Sequence, residues 1–289
     1  MITRLILALV LGCANSLLAA SSSGLSPVRF FERATNQFDT AHLIKPAEPK
    51  DSDIAFKLAP LIIQEALGDE PLHDRFGALN SSNGIPVLDI GKPTVYVYLD
   101  EVKISGKEHA RFSYLWCYPP DPGNSSGASL TVQGVRITTD SAGAPVIWEV
   151  LADSSGMTLL FVAESLEAAA RKQWNKLSPG RRFYAEAGLR QAPSIIVSRI
   201  IADGPVPMGP IMYLQRSSRN VSTVVCRCMP AQARSLLSSS FYEIKPIQTD
   251  GADVLLQMVR DRAKLRTTFW PGSKDSTPLQ KRLRLPSTF

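Results

Sequence analysis

The sequence has few of the residues, and none of the motifs, on which common enzymatic chemistry depends. It contains 3 histidines and 4 cysteines in 289 residues, and no two cysteines have the CxxC spacing of zinc and thioredoxin-like sites. Neither glycine-rich phosphate loop, the P-loop nor G-x-G-x-x-G, is present. The G-x-S-x-G nucleophile turn and the H-E-x-x-H metal-binding helix are also missing. The sequence therefore favours a function other than catalysis.

Carboxylates are the remaining route to hydrolytic chemistry. Glu149, Asp153 and Glu164 lie on neighbouring predicted strands and could converge as an acid and base pair, which requires a separation of a few ångströms. Isolated carboxylates on strands more often face solvent. We therefore expect surface carboxylates here.

The first 20 residues have the layout of a secretory signal peptide. Arg4 precedes an apolar run from Leu5, and small residues follow up to Ala20, in the order of such a peptide. Cleavage after Ala20 predicts a soluble periplasmic or extracellular protein. The letters VLGC ending at Cys13 also resemble a bacterial lipobox, so a lipid anchor at Cys13 is the alternative. No later window has the 18 or so apolar residues of a membrane-spanning helix, so we expect none in the mature chain.

The composition and hydrophobic period of the sequence divide the rest of the chain into three parts, residues 21–52, 53–250 and 251–289. Residues 21–52, rich in Ser, Pro, Lys and Asp, predict a linker or loosely docked arm. Residues 53–250 predict one main domain, since 44% hydrophobic composition suffices for a core. Strands with short turns outnumber helices there, which favours an α+β fold: a mainly antiparallel sheet with a few helices on one face or at the ends.

Local patterns predict particular elements. Helical spacing predicts a helix over residues 51–68, kinked at Pro60, and a short helix over residues 230–238. Residues 134–153 have the pattern of a hairpin. A strand near residue 160 runs into a helix for which Ser165 is the expected N-cap.

Residues 251–289 predict a basic C-terminal helix and tail. The net charge is +6, and basic residues are concentrated in this segment: Arg260, Arg262, Lys264, Arg266, Lys274, Lys281, Arg282 and Arg284. Such a segment could contact an anionic surface or a protein partner, or simply be solvated. No motif specific for nucleic acid accompanies it.

The cysteines leave two interpretations open. In an extended strand Cys226 and Cys228 share one face with Cα atoms about 6.5 to 7 Å apart, outside comfortable disulfide geometry. The first interpretation is therefore a structural disulfide from Cys117 to Cys226 or Cys228. The second is a copper, zinc or thiol-redox site at Cys226 and Cys228, completed by Cys117, His109 or Met229. Without such a site no cofactor is expected.

Two other stretches could form a binding surface. Tyr114, Trp116 and Tyr118 alternate onto one face of a predicted strand, where they either bind a ligand or pack in the core. Residues 202–214, with three prolines and two glycines, form either a plain connection or a shaped loop lining a cleft.

The sequence thus predicts an exported binding or structural module of the cell envelope or the medium. The alternative is an exported metal-binding or thiol-redox protein that uses Cys226 and Cys228.

Overall fold

Strands dominate the architecture. The structure is a computed structural model and describes residues 38–48, 53–68, 74–82, 85–120, 130–153, 158–187, 195–228, 233–249, 252, 254–255, 257–258 and 277–289. Strands make up 52% and helices 13% of these residues. The predicted signal peptide and Cys13 lie outside them.

Thirteen strands are present in the described residues: β1 (Phe38–Pro46), β2 (Leu61–Glu65), β3 (Ala78–Ser82), β4 (Ile85–Asp89), β5 (Thr94–Ile104), β6 (Lys107–Tyr118), β7 (Thr131–Thr139), β8 (Pro145–Val150), β9 (Thr158–Ala163), β10 (Ile195–Ile201), β11 (Pro210–Leu214), β12 (Val221–Cys226) and β13 (Ala233–Pro246). The helices are α1 (Ile54–Lys57), α2 (Glu164–Trp174) and α3 (Thr277–Arg282).

Eleven of the strands form one mixed sheet in the order β10-β9-β8-β7-β6-β5-β13-β1-β2-β11-β12. Strands β5 to β9 run as an antiparallel meander, and β10 adds parallel to β9 after α2. Strand β13 joins the two halves, pairing in parallel with β1 and, through Glu243–Pro246, with β5. The edge strands β10 and β12 contact each other, so the sheet is nearly closed.

The predicted α+β fold is therefore wrong, and the helix predicted over residues 51–68 shows one reason. Asp53 caps α1 through a bond from Ala55 N to its carboxylate, but the helix ends before Pro60. Residues 61–65 then pair with β1 and β11 as strand β2. Proline stops the helix, and the two isoleucines that follow suit a buried strand.

The helix predicted over residues 230–238 is also wrong from Ala233 onwards, because β13 begins there. Its partner β1 lies within the predicted linker of residues 21–52 and occupies an inner position of the sheet. Ala41 of β1 is fully buried. Residues 38–46 are thus part of the folded domain, because pairing with β13 and β2 supplies hydrogen bonds and burial that composition does not reveal.

The hairpin prediction is confirmed. Strands β7 and β8 pair antiparallel around a turn in which Asp140 accepts hydrogen bonds from Ala142 N and Ala144 N. The helix after β9 is also confirmed, but Ala163 is its N-cap. Ser165 instead donates to Asp203, at 2.9 Å.

The last residues of the chain pack on the domain instead of forming a separate tail. Leu279, Leu283 and Phe289 are buried, and the Phe289 ring stacks on His109 at 4.5 Å between centroids. Arg284 lies over the Trp174 ring at 4.5 Å. Arg284 and these apolar groups therefore make their contacts within the chain.

Candidate functional site

The place where the sheet fails to close is the candidate site. Residues 199–202, at the end of β10, face residues 224–226, at the end of β12; we call this region the seam. The loop of residues 202–210 runs from the seam into β11 and lies over it. The fold thus brings together the C-x-C motif and the proline-rich segment.

A disulfide bond joins Cys226 to Cys228, which corrects the predicted connectivity. Strand β12 ends at Cys226 and the chain turns at residues 227 and 228. The turn brings the two Cα atoms to 5.2 Å, within the range that a disulfide requires. An extended strand through Cys228 would have kept the two residues too far apart, but the strand ends at Cys226. Cys117 lies elsewhere, buried on β6.

Arg227 anchors the turn between the two cysteines. Its guanidinium donates a hydrogen bond to the carbonyl of Ala59. Burial lowers the pKa of this guanidinium, while the Tyr242 and Tyr114 hydroxyls near it act in the opposite direction. The half-buried side chain of the central residue is thus held against the protein, and of the two flanking cysteines only Cys228 is exposed.

Gly209 holds the end of the loop against residues 57–59, the segment that Arg227 also contacts. Its N–H donates to the Lys57 carbonyl at 2.8 Å, and a Cβ at this position would lie 2.2 Å from the Leu58 carbonyl oxygen. Only glycine permits such a close approach of two backbones. Farther back, a Cβ on Gly204 would lie 3.4 Å from Cys226 Sγ, so the loop passes directly beside the sulfur.

Two cavities flank Cys226. The loop cavity, of about 230 Å³, is lined by residues 202–210, Ala144, Pro145, Trp148 and Cys226. The strand cavity, of about 270 Å³, is lined by Glu164, residues 199–202 and residues 224–226. Ala202 and Cys226 line both. The second interpretation of the 202–214 segment, a loop that lines a cleft, is therefore the one that the structure shows.

The polar groups at the cavities are few and come from the rim. Glu164 and Arg199 line the strand cavity. Asp203 lines the loop cavity, but its carboxylate already accepts from the N–H and the hydroxyl of Ser165, both at 2.9 Å. The remaining lining of the loop cavity is mostly apolar, with four prolines, Val206, Met208 and Trp148.

The aromatic residues predicted as a possible binding surface lie in the core. Tyr114, Trp116 and Tyr118 are each 0% exposed. Their polar atoms bond internally: Tyr114 donates to the Ala55 carbonyl, and Trp116 Nε1 donates to Tyr118 Oη. Alternation predicted their common face correctly, but that face is covered.

Of the predicted metal ligands that the structure describes, His109 and Cys117 do not join Cys226 and Cys228 in a cluster. His109 is buried on β6, with Nδ1 at 3.0 Å from the Thr139 carbonyl and its ring against Phe289. Met229 lies outside the described residues. Within the described ranges, no three His, Cys, Asp or Glu side chains cluster as a metal site.

The three carboxylates do not form a catalytic pair either. Glu149 is fully buried in an ion pair with Arg136 at 2.8 Å, and Asp153 is buried. Glu164 does line the strand cavity, where it is the one carboxylate among the lining residues described. The expectation that all three are surface groups is wrong for Glu149 and Asp153.

The sequence did not predict the seam, because the seam forms where β10 and β12, at opposite ends of the strand order, come into contact. The signal that could have located it was the density of proline and glycine in residues 202–210, which marked a shaped loop but not its neighbour across the sheet.

In the part of the chain that the structure describes, no helix combines the length and apolar character needed to cross a membrane. Comparison of the chain with protein-family models, with curated proteins and with solved structures gave no significant match.

Proposed function

We propose that this protein is an exported binding module whose seam takes apolar side chains of a protein partner. The observation that carries the proposal is the pair of cavities that meet at Ala202 and Cys226. Their mostly apolar walls gain free energy when an apolar group displaces water from them.

The size of the cavities favours side chains over a whole small molecule. Volumes of about 230 and 270 Å³ fall below the range of roughly 300 to 1,000 Å³ for small-molecule pockets. Each suits one large side chain, and two adjoining cavities suit neighbouring anchors on one chain. The rim charges Glu164 and Arg199 would then orient the partner.

Export is supported by the N-terminal sequence. The order of Arg4, an apolar run and small residues up to Ala20 is that of a secretory signal. A disulfide is also suited to an oxidising compartment. The test is the intact mass of the protein recovered from the periplasm or the medium: a chain beginning near Ser21 supports export, lipid mass on Cys13 supports the anchored form, and an uncleaved cytoplasmic chain contradicts both.

Binding at the seam is tested by blocking it with one exposed residue. Ala202 is exposed and lines both cavities, so Ala202→Trp fills the entrance without disturbing the core. Ala142→Trp, at the exposed turn of the β7–β8 hairpin, is the matched control. Random peptides displayed on phage serve as the probe, and the Kd of each enriched peptide is measured by calorimetry.

We expect apolar peptides whose Kd rises at least about tenfold in Ala202→Trp and stays unchanged in Ala142→Trp, since filling the pocket removes an anchor. Failure to enrich any peptide, or equal affinity for both variants, would contradict the proposal.

Contact of the basic C-terminal segment with an anionic surface is a separate proposal. It depends on Arg260, Arg262, Lys264, Arg266 and Lys274, which lie outside the described residues. Arg284 is already engaged by Trp174, the Lys176 carbonyl and the Ser178 hydroxyl, so it contributes less to such a contact. Charge reversal at Arg260 and Lys264 should abolish salt-sensitive binding to anionic vesicles; unchanged binding would contradict this proposal.

A further inference from the structure

We propose that Cys226 and Cys228 form a redox-active pair that exchanges disulfide bonds with a thiol of the partner. Only the choice of a protein thiol as the natural reactant rests on the proposed function. The exchange chemistry itself rests on the geometry of the pair and does not require the cavities to bind a peptide.

The two sulfurs differ in accessibility, which determines the direction of attack. Cys228 is exposed, whereas Cys226 is 7% exposed. An incoming thiolate must approach the sulfur that it attacks. The structure therefore assigns Cys228 as the attacked sulfur and Cys226 as the leaving group.

The backbone favours the same assignment. The N–H of Cys228 points at Cys226 Sγ, at 3.1 Å. An N–H donor aimed at a sulfur stabilises the negative charge that develops on it as the disulfide breaks, which makes that sulfur a better leaving group. The loop of residues 202–210 passes beside Cys226 and shields it from a competing attack.

The exchange balances in two steps. A partner thiolate attacks Cys228 Sγ, forms a mixed disulfide and breaks the Cys226–Cys228 bond, whose electron pair remains on Cys226 as thiolate. A second partner thiolate then attacks the partner's sulfur in the mixed disulfide and releases Cys228 as thiolate. The partner dithiol loses two electrons and becomes a disulfide, the protein pair gains them, and the two new thiolates take up protons from water.

Arg227 lies between the two cysteines and attaches their turn to the rest of the protein. Its bond to the Ala59 carbonyl holds the turn on the protein while the flanking sulfurs stay at the seam. Because this hydrogen bond involves neither sulfur, we expect the two thiols of the reduced pair to remain close enough to be reoxidised.

The test compares two single variants, Cys226→Ala and Cys228→Ala, each of which leaves one thiol of the pair. Both are treated with oxidised glutathione, and the rate of adduct formation is followed by intact mass and peptide mapping. We expect Cys228 in Cys226→Ala to react at least about tenfold faster than Cys226 in Cys228→Ala, because exposure governs access. Circular dichroism and thermal melting establish that each variant is folded.

The wild-type protein provides the second measurement. It is equilibrated with glutathione buffers of increasing reducing strength and quenched with an alkylating reagent. The intact mass then gives the number of free thiols. We expect the pair to become reduced, with the fold retained, in a buffer whose reduction potential is near that of the compartment to which the protein is exported.

Equal adduct rates in the two variants, or a wild-type pair that stays oxidised until the protein unfolds, would overturn the inference. The Ala202→Trp variant separates the two proposals. If the wild-type protein binds peptide, and Ala202→Trp loses that binding but still exchanges with glutathione, both proposals are supported. If the wild-type protein binds no peptide but exchanges with glutathione, only the binding proposal fails.

Discussion

At the scale of single residues, the buried ion pair of Arg136 and Glu149 is the feature whose loss should destabilise the fold strongly. Arg136 and Glu149 are both 0% exposed and lie opposite each other on β7 and β8. Burial lowers the pKa of Arg136 to about 10, and Glu149 opposes this shift. Each charge therefore depends on the other for compensation.

Removing one partner should cost more than removing both. Glu149→Leu leaves the buried guanidinium without this carboxylate, and we expect the free energy of unfolding to fall by about 3 to 5 kcal/mol. The double variant Arg136→Met with Glu149→Leu should be more stable than the single one, since no charge stays buried at this pair. Urea denaturation of the wild type, Glu149→Leu, Arg136→Met and the double variant measures the four free energies of unfolding; a double variant no more stable than Glu149→Leu would contradict this expectation.

Tyr242 links stability to alkaline pH. It is 1% exposed and donates to the Pro60 carbonyl at 2.7 Å, and burial raises its pKa from the ordinary value of 10.0. Its neutral form is thus favoured in the fold, so its contribution is complete below pH 10. The contribution falls above pH 10, where the phenol ionises in the unfolded chain.

We expect Tyr242→Phe to lower the free energy of unfolding at pH 7 by about 1 to 2 kcal/mol, through the lost hydrogen bond. The difference between wild type and variant should narrow above pH 10, by up to about 1.4 kcal/mol per pH unit. Denaturation curves from pH 7 to 11 measure it, and parallel pH profiles for the two proteins would count against this assignment.

The aromatic residues show what sequence can and cannot supply at this scale. Alternation correctly places Tyr114, Trp116 and Tyr118 on one face, because side-chain direction in a strand is local. Whether that face is covered depends on segments far away in sequence, such as Ala55, which accepts the Tyr114 hydrogen bond. Local pattern carries no information on that contact.

Among the elements, β1 decides how far the folded domain extends. Ala41 is 0% exposed and packs in a cluster with Ile63, Ile211 and Tyr213. Asp39, two residues earlier, is 77% exposed in its ion pair with Arg234. One short strand therefore provides both a test position and its control.

Ala41→Asp should lower the free energy of unfolding by about 3 kcal/mol or more, because it buries a charge among apolar groups. Asp39→Ala should change it by no more than about 0.5 kcal/mol, since exposed ion pairs contribute little. Thermal and urea unfolding measure both. Equal, small effects would show that residues 38–46 are dispensable, as a linker would be.

Elements formed by neighbouring residues were predictable, and those formed by distant ones were not. The β7–β8 hairpin depends on a turn between adjacent strands, and its pattern identified it. Strands β1 and β13 pair in parallel although almost 200 residues separate Phe38 from Ala233. Their sequences, one in a polar arm and one in a serine-rich run, become strands only through that pairing.

At the scale of the whole molecule, the disulfide does little to hold the sheet together. A bond that closes a three-residue loop restricts the unfolded chain by only about 1.6 kcal/mol, against about 4.7 kcal/mol for a loop of 100 residues. A bridge from Cys117 would have been of the second kind. The observed bond joins residues 5.2 Å apart at the end of one strand, so we expect it to open and close without unfolding the protein.

The connectivity of the cysteines was beyond the sequence for a related reason. The spacing of Cys226 and Cys228 is compatible with pairing only if the strand ends between them, and that end is set by the docking of Arg227 on Ala59. The position of the pair at the seam depends in turn on the approach of β10 and β12. Both are consequences of the complete sheet.

Disulfide mapping of the native protein tests the central claim most directly. After free thiols are alkylated, trypsin cleaves behind Arg219, Arg227 and Arg234 and places Cys226 and Cys228 on separate peptides. We predict that these two peptides, residues 220–227 and 228–234, are recovered joined, and that the peptide containing Cys117 is linked to neither. Recovery of Cys117 bonded to Cys226 or Cys228 would contradict the redox pair and restore a structural disulfide.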